Sequence, residues 1–193
     1  MRKIPAQIAD RLPRAAELFA ERGLNDTKIE DVAAATGIAK ATLYYYFAGK
    51  EEILAFLLED TLHHIADEVT AIVDTEGNGA ERLHAVISAQ IRVMAQRPAV
   101  CRALIGELGR AARMPVIANM IGNAYFEPVE TLLRAGATDG SLVPTDNARA
   151  AAVALFGAVT ISALTYLVTA NALDEDLIAR TIHDVLFIGL QPR

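Results

Sequence analysis

Apolar residues recur along this chain at helical spacing almost throughout, and no stretch alternates as a half-buried strand requires. Ile8, Leu12, Ala15, Ala16 and Phe19 line one face of a first helix that is predicted to end at Gly23. Pro13 interrupts that stripe and leaves two arrangements open: a kink there, or a helix starting near Leu12 with Pro13 in its first turn. Thr27-Lys28-Ile29-Glu30 has the form of a capping box, with the Thr27 hydroxyl accepting from the third N–H on and Glu30 reaching back. It opens a second helix with Ile29, Val32 and Ala33 inward, stopped by Gly37. A short third helix runs from Lys40 to about Phe47. Gly49-Lys50-Glu51-Glu52 opens a long fourth helix to about Asp74, with its acidic pair in the first turn, where the helix dipole favours anions. Further helices are expected at about 80–96, 98–110, 114–136, 146–171 and 174–190. Gly136, Gly140 and Pro144 mark the turn before the Ala-rich member of that set. The pattern predicts an all-α fold of about nine helices.

Composition supports a folded helical protein. The 193 residues are 53% hydrophobic and 22% charged, which excludes general disorder, and Gly and Pro together supply only 19 positions. The net charge of −6 argues against nucleic acid until it is divided. Residues 1–50 hold 8 Lys+Arg against 6 Asp+Glu, a net of +2, and the remainder has a net of −8. All four lysines, Lys3, Lys28, Lys40 and Lys50, lie in that first segment. Local charge decides what a surface attracts.

Cys101 is the only cysteine, so no intrachain disulfide forms, and the expected setting is reduced and cytoplasmic, with the thiol in a core. The N-terminus lacks the apolar region of a signal peptide. From Ala150 to Leu173 there is no charged residue, a length that can span a bilayer. That stretch is rich in alanine and carries Thr160, Ser162, Thr165, Thr169 and Asn171, so burial against protein is the expected reading and no membrane partner is predicted.

The segment that carries chemistry is Ile29–Phe47. Ala33 permits close crossing of two helices, Gly37 supplies a turn residue at positive φ, and Leu43 packs back under the first helix. This is a helix-turn-helix, whose second helix can enter the DNA major groove. Lys40, Thr42, Tyr44 and Tyr45 project from that second helix. Thr27 and Lys28 stand at the start of the preceding helix, where free N–H groups bind phosphate, and Lys50 stands at the start of the next. The alternative is an ordinary helical hairpin with a tyrosine-rich packing face.

The run GLNDTKIEDVAAATGIAKATLYYYFAGKEEIL resembles the N-terminal signature of the tetracycline-repressor (TetR) family of bacterial regulators. Phe19, Gly23, Thr27, Val32-Ala33, Gly37, Thr42-Leu43-Tyr44, Tyr46-Phe47 and Lys50-Glu51 carry the likeness. The rest of the chain matches only in layout. The resemblance implies that Lys40, Ala41, Thr42, Tyr44 and Tyr45 lie in or beside the major groove, and that Thr27, Tyr46 and Lys50 hold phosphates or brace the unit. It also implies a DNA-binding head over residues 1–48 and an effector-binding, dimerising body over 49–193. Ala39 departs from the pattern, because the family commonly has a capping serine there, and Pro13 departs in the first helix.

Other constellations are weaker. Glu59, Asp60, His63, His64, Asp67 and Glu68 share the fourth helix, but no second Glu-x-x-His helix completes a di-metal site, and a solvated face with one histidine turned inward is expected. His84 and His183 stand alone. No metal, cofactor or catalytic residue is predicted, since phosphate loops and nucleophile elbows are absent from the sequence. Ile87, Gln90, Ile91, Met94, Leu104, Met120, Tyr125, Phe126 and Phe156 have core spacing, and the resemblance makes them candidates for the wall of an effector pocket. The expectation is a ligand-responsive regulator, a repressor by resemblance. It binds a palindromic duplex as a homodimer through about 146–190 and is released by a small-molecule effector. A helical-bundle enzyme and a membrane-associated helical protein are the competing classes.

Overall fold

The computed structural model describes residues 3–103, 119–169 and 174–187, all helices and connecting turns. The chain forms two compact units, Met1–Thr61 with Arg97–Ala118, and Leu62–Gln96 with Asn119–Arg193.

In the first unit, α1 (Ala6–Ala9) is a single turn, and α2 (Pro13–Asp26) starts afresh with Pro13 in its first turn. The second of the two arrangements open from sequence is the one adopted, because the missing N–H of proline costs nothing there. α2 buries Ala15, Ala16, Phe19 and Leu24. The helical backbone breaks at Gly23, at φ 75° and ψ 162°, where the sequence placed its end, and a further turn beyond that kink runs to Asp26. α3 (Ile29–Thr36) buries Ile29, Val32 and Thr36, and α4 (Lys40–Tyr46) buries Leu43. Between them Gly37 sits at φ 63°, the left-handed turn residue the spacing required. Phe47 is buried and meets Phe56 edge-on, with ring centroids 6.0 Å apart. The first half of α5 (Lys50–Val73) completes the core with Ile53, Leu54, Leu57 and Leu58. α7, described over 98–103, belongs to this unit, where Arg102 pairs with Glu17 at 3.1 Å. Cys101 is buried there, and burial pushes its thiol up to about 12, the inert core cysteine that the sequence suggests.

In the second unit, α6 (Gly79–Gln96) packs against the helix over 119–139, which we call α8. Both meet α9 (Ala148–Thr169), and α6 and α9 meet α10 (Glu175–Ile182). The core holds Val69, Leu83, Val86, Ile87, Ile91, Tyr125, Val129, Leu132, Leu155, Val159, Ile178 and Ile182. α8 does not end at Gly136 as the sequence suggested; it continues to Asp139, and Gly140 at φ 80° ends it. Gly136 serves packing instead: a Cβ on Gly79 would strike the Gly136 backbone, and one on Gly136 would strike Leu142. Within α8, Gly122–Phe126 forms a π-helical turn in which the Glu127 N–H donates to the Gly122 carbonyl. Pro128 follows directly and offers no N–H to the carbonyl of Ala124, so the regular ladder cannot close there.

α9 is long and apolar enough to cross a membrane by length and composition. It is not packed on every side within this chain. Ala152, Leu155, Val159, Ala163 and Leu167 face inward, whereas Val153, Ile161, Tyr166 and Val168 are exposed.

Candidate nucleic-acid interface

The helix-turn-helix is held by side chains that close open backbone groups at helix ends. Arg11, just before α2, reaches the C-terminal end of α3. Its Nε donates to the Thr36 carbonyl at 2.9 Å and its Nη2 to the Gly37 carbonyl. A cation at a helix C-terminus also meets the negative end of the dipole. Thr36 donates to the Val32 carbonyl at 2.7 Å and accepts from the Ile38 N–H at 3.3 Å. These bonds fix the entry to α4 although α4 has no side-chain cap: Ala39 occupies its N-cap with none.

The sequence-predicted contacts divide into two sets. Lys40, Ala41, Tyr44 and Tyr45 are exposed, Thr42 and Tyr46 are half-buried, and Lys28 is exposed at the start of α3. Tyr44 and Tyr45 stand out at 52% and 58% exposure, large values for aromatic rings. Tyr45 and Tyr46 meet edge-on with centroids 4.9 Å apart. Lys40 lies over the Tyr44 ring at 5.8 Å and forms an ion pair with Glu30. That bond raises the Lys40 pKa and lowers that of Glu30.

Thr27 and Lys50 do something else. Thr27 is fully buried, and its hydroxyl donates to the Gly23 carbonyl at 2.8 Å. Lys50 Nζ donates to the Asn25 carbonyl at 2.8 Å and the Thr27 carbonyl at 2.9 Å. Of the two roles the resemblance implied, the geometry favours bracing for both, because each polar head is committed to the C-terminal end of α2. The capping box is also displaced by one residue. Lys28 is the N-cap of α3, and its N–H donates to Asp31 at 3.1 Å, while Glu30 turns to Lys40. A carboxylate therefore already stands at the N-terminus where sequence suggested a phosphate. Sequence reasoning missed Arg11 and Asp31. Arg11 lies 25 residues from its partner, and no local pattern announces it.

The described pocket candidates all fall in the second unit. Leu104 lies outside the described residues, and Met120 is half-buried at the start of α8. Ile87, Ile91 and Tyr125 are buried in the core, with Phe126 and Phe156 packed against it, and Met94 is buried on α6. Gln90, at 1% exposure, donates to the Thr160 hydroxyl at 2.8 Å. The acidic and histidine face of α5 forms no metal group among the described residues. His63 and His64 are both exposed, so neither turns inward as expected. His84 and His183 do not stand alone; their rings meet edge-on at 5.3 Å.

Residues 12–56 match the model of the bacterial regulatory proteins, tetR family. The HTH-type transcriptional repressor KstR2 of Mycolicibacterium smegmatis is 30% identical over 155 residues, 72% of this chain and 71% of the relative. KstR2 of Mycobacterium tuberculosis is 34% identical over 119 residues, and the match spans 60% of that relative's length. Among solved structures, the fatty acid degradation regulator FadR of Bacillus halodurans superposes with a TM-score of 0.85 at 19% identity, over the whole of both chains. FadR of Bacillus subtilis in complex with stearoyl-CoA superposes with a TM-score of 0.75 at 21% identity, over 93% of this chain and 96% of that one. Likenesses at such identity are likenesses of fold.

Proposed function

This chain belongs to the tetR family of bacterial regulatory proteins, and from that premise we propose that it is a ligand-responsive DNA-binding repressor of transcription. The observation that carries the reading is the α4 face. Lys40, Ala41, Tyr44 and Tyr45 are exposed on a short helix entered through a turn that Arg11 and Thr36 hold, while Thr27 and Lys50 brace the end of α2. A helix that presents a cation and two phenols, with the half-buried Thr42 hydroxyl between them, suits major-groove readout. Lys28 and Tyr46 flank it as phosphate contacts. To dock, Lys40 exchanges Glu30 for DNA, so the ion pair opposes non-specific binding.

The head is taken as residues 1–48 and the body as 49–193, and the protein acts as a two-fold dimer. The exposed apolar side of α9 supports this, together with Leu177 and Val185 beyond it, since a patch of that kind on a folded chain marks an interface. A small effector, largely apolar as the lining candidates are, binds the body and favours a conformation of lower DNA affinity. The protein is cytoplasmic and does no catalysis in this reading. Selection of bound duplexes from a random pool is the test. A palindromic consensus is expected, and absence of any enriched sequence overturns the reading.

A further inference from the structure

We propose that Gln90 and Tyr125 are the polar anchors of the effector site, and that the effector class is an uncharged, mostly apolar molecule bearing a hydroxyl or amide donor. The inference rests on the reading of the body as the effector-binding part. Its basis is a pair of unanswered polar atoms. Gln90 and Tyr125 are each 1% exposed, yet Gln90 Oε1 and the Tyr125 hydroxyl have no hydrogen-bond partner. Native cores rarely leave such atoms unmatched.

The two side chains are tied to neighbouring positions of α9. Gln90 is tied through its amide N–H to Thr160 of α9. Tyr125 packs edge-on against Phe156 of α9 with centroids 5.1 Å apart. Phe156 and Thr160 are one helical turn apart, about 6 Å along the axis. Phe126 meets both Tyr125 and Phe156 edge-on, with centroids 6.3 and 5.4 Å apart, and Ile87 and Ile91 belong to the same apolar core as Tyr125. Phe126 and Phe156 are half-buried, so the cluster reaches the surface on their side. Tyr125 is placed by the π-helical turn, a local geometry that recurs at functional sites.

The atoms also select the ligand. Gln90 Oε1 is an acceptor and demands a donor; the Tyr125 hydroxyl gives or takes. A hydroxyl group answers both. An anionic head is disfavoured by Oε1, and Arg149, stacked at 4.7 Å from the Phe126 ring centroid, is already paired with Glu130 at 3.0 Å.

The test titrates the full chain with three matched probes, octanol, octyl methyl ether and octanoate, by calorimetry. Octanol is expected to bind wild type best, and Gln90→Leu and Tyr125→Phe each to weaken it about tenfold. The ether, lacking a donor, is expected to bind the wild type and Gln90→Leu alike. Equal octanol affinity in all three proteins, preference for octanoate, or no octanol binding overturns the proposal. Melting temperature adds a readout free of any probe. Tyr125→Phe is expected to raise it, by removing an unmatched hydroxyl; a lowered value means a trapped water already satisfies that atom, and overturns the proposal too. Palindrome selection fails or succeeds independently of these results, so failure of the DNA-binding reading is distinguishable from failure of this one.

Discussion

The two units hold themselves together by different means. In the first, α2, α3 and α4, of seven to fourteen residues, are joined by tight turns, and side chains near and distant in sequence bond their backbone ends. Arg11, Thr27, Thr36 and Lys50 each commit a polar head to a main-chain carbonyl. In the second, helices of up to 22 residues pack by apolar faces, with two glycines allowing backbone approach between α6 and α8. There too side chains close helix ends, Asp139 at Gly79 and Asp174 at Leu177, but Arg82 Nε, Gln90 Oε1 and the Tyr125 hydroxyl are buried with no hydrogen-bond partner among the described residues. A surface that must fit the fixed geometry of DNA is served by helix ends held by side-chain bonds, the uncapped start of α4 excepted. A body that must respond to a ligand retains unmatched polarity that a ligand can answer.

The sharpest break of that contrast is at the glycine contact. Gly79→Val places a branched side chain against the Gly136 backbone, which has no rotamer with which to yield. A loss of about 3 kcal/mol is expected, at the upper end of overpacking effects, read as a lower denaturant midpoint. A midpoint within experimental error of wild type would mean that the close approach is not required.

Lys50→Ala probes the bracing mode. It removes two charged hydrogen bonds to carbonyls at the end of α2, and a loss of about 1.5 kcal/mol of stability is expected. The salt dependence of DNA binding should keep its slope. A slope reduced by about 0.9 with stability unchanged would instead make Lys50 a phosphate contact.

Ala39→Ser adds the cap that α4 lacks. A serine there accepts from an N–H of the first turn of α4, worth about 1 kcal/mol, and slows amide exchange over residues 40–46. Unchanged exchange would reject the missing-cap argument, whatever the DNA affinity does.

The smallest effect is a pH dependence in the second unit. Asp139 accepts hydrogen bonds at the junction of α6 and α8, from the Gly79 N–H at 2.8 Å and the Ser141 N–H at 2.9 Å. Its hydrogen bonds, with the Ser141 side chain first and the Gly79 N–H next, hold its carboxyl below the ordinary aspartate value. The folded pKa is the lower one. The stabilisation is therefore complete above the ordinary aspartate pKa and fades as pH falls through the depressed value. Acid titration of wild type against Asp139→Asn should show a shallower acid loss in the variant. Parallel curves would remove Asp139 from the account.

Local signals carried the reading of the first unit a long way. Helix starts and stops, the left-handed Gly37, the uncapped Ala39 and the exposed Lys40, Tyr44 and Tyr45 all follow from residues within a turn or two of one another. Short-range sterics and hydrogen bonding decide such features, so they are written in adjacent positions. The all-helical character and the order of helices were legible for the same reason, as apolar periodicity over each segment.

What the sequence did not determine are the choices among equivalent local options. Asp31 rather than Glu30 caps α3, because Glu30 finds Lys40 ten residues away. Lys28, Lys40 and Lys50 look alike along the chain, but only the third meets the open carbonyls at the end of α2. Gly136 resembles a helix stop and is instead a contact, since Gly79 arrives from another helix. The unpartnered atoms of Gln90 and Tyr125 belong to the same class. Whether a polar side chain is matched depends on every neighbour within hydrogen-bond reach, and those neighbours come from helices whose meeting is set by the packed core as a whole.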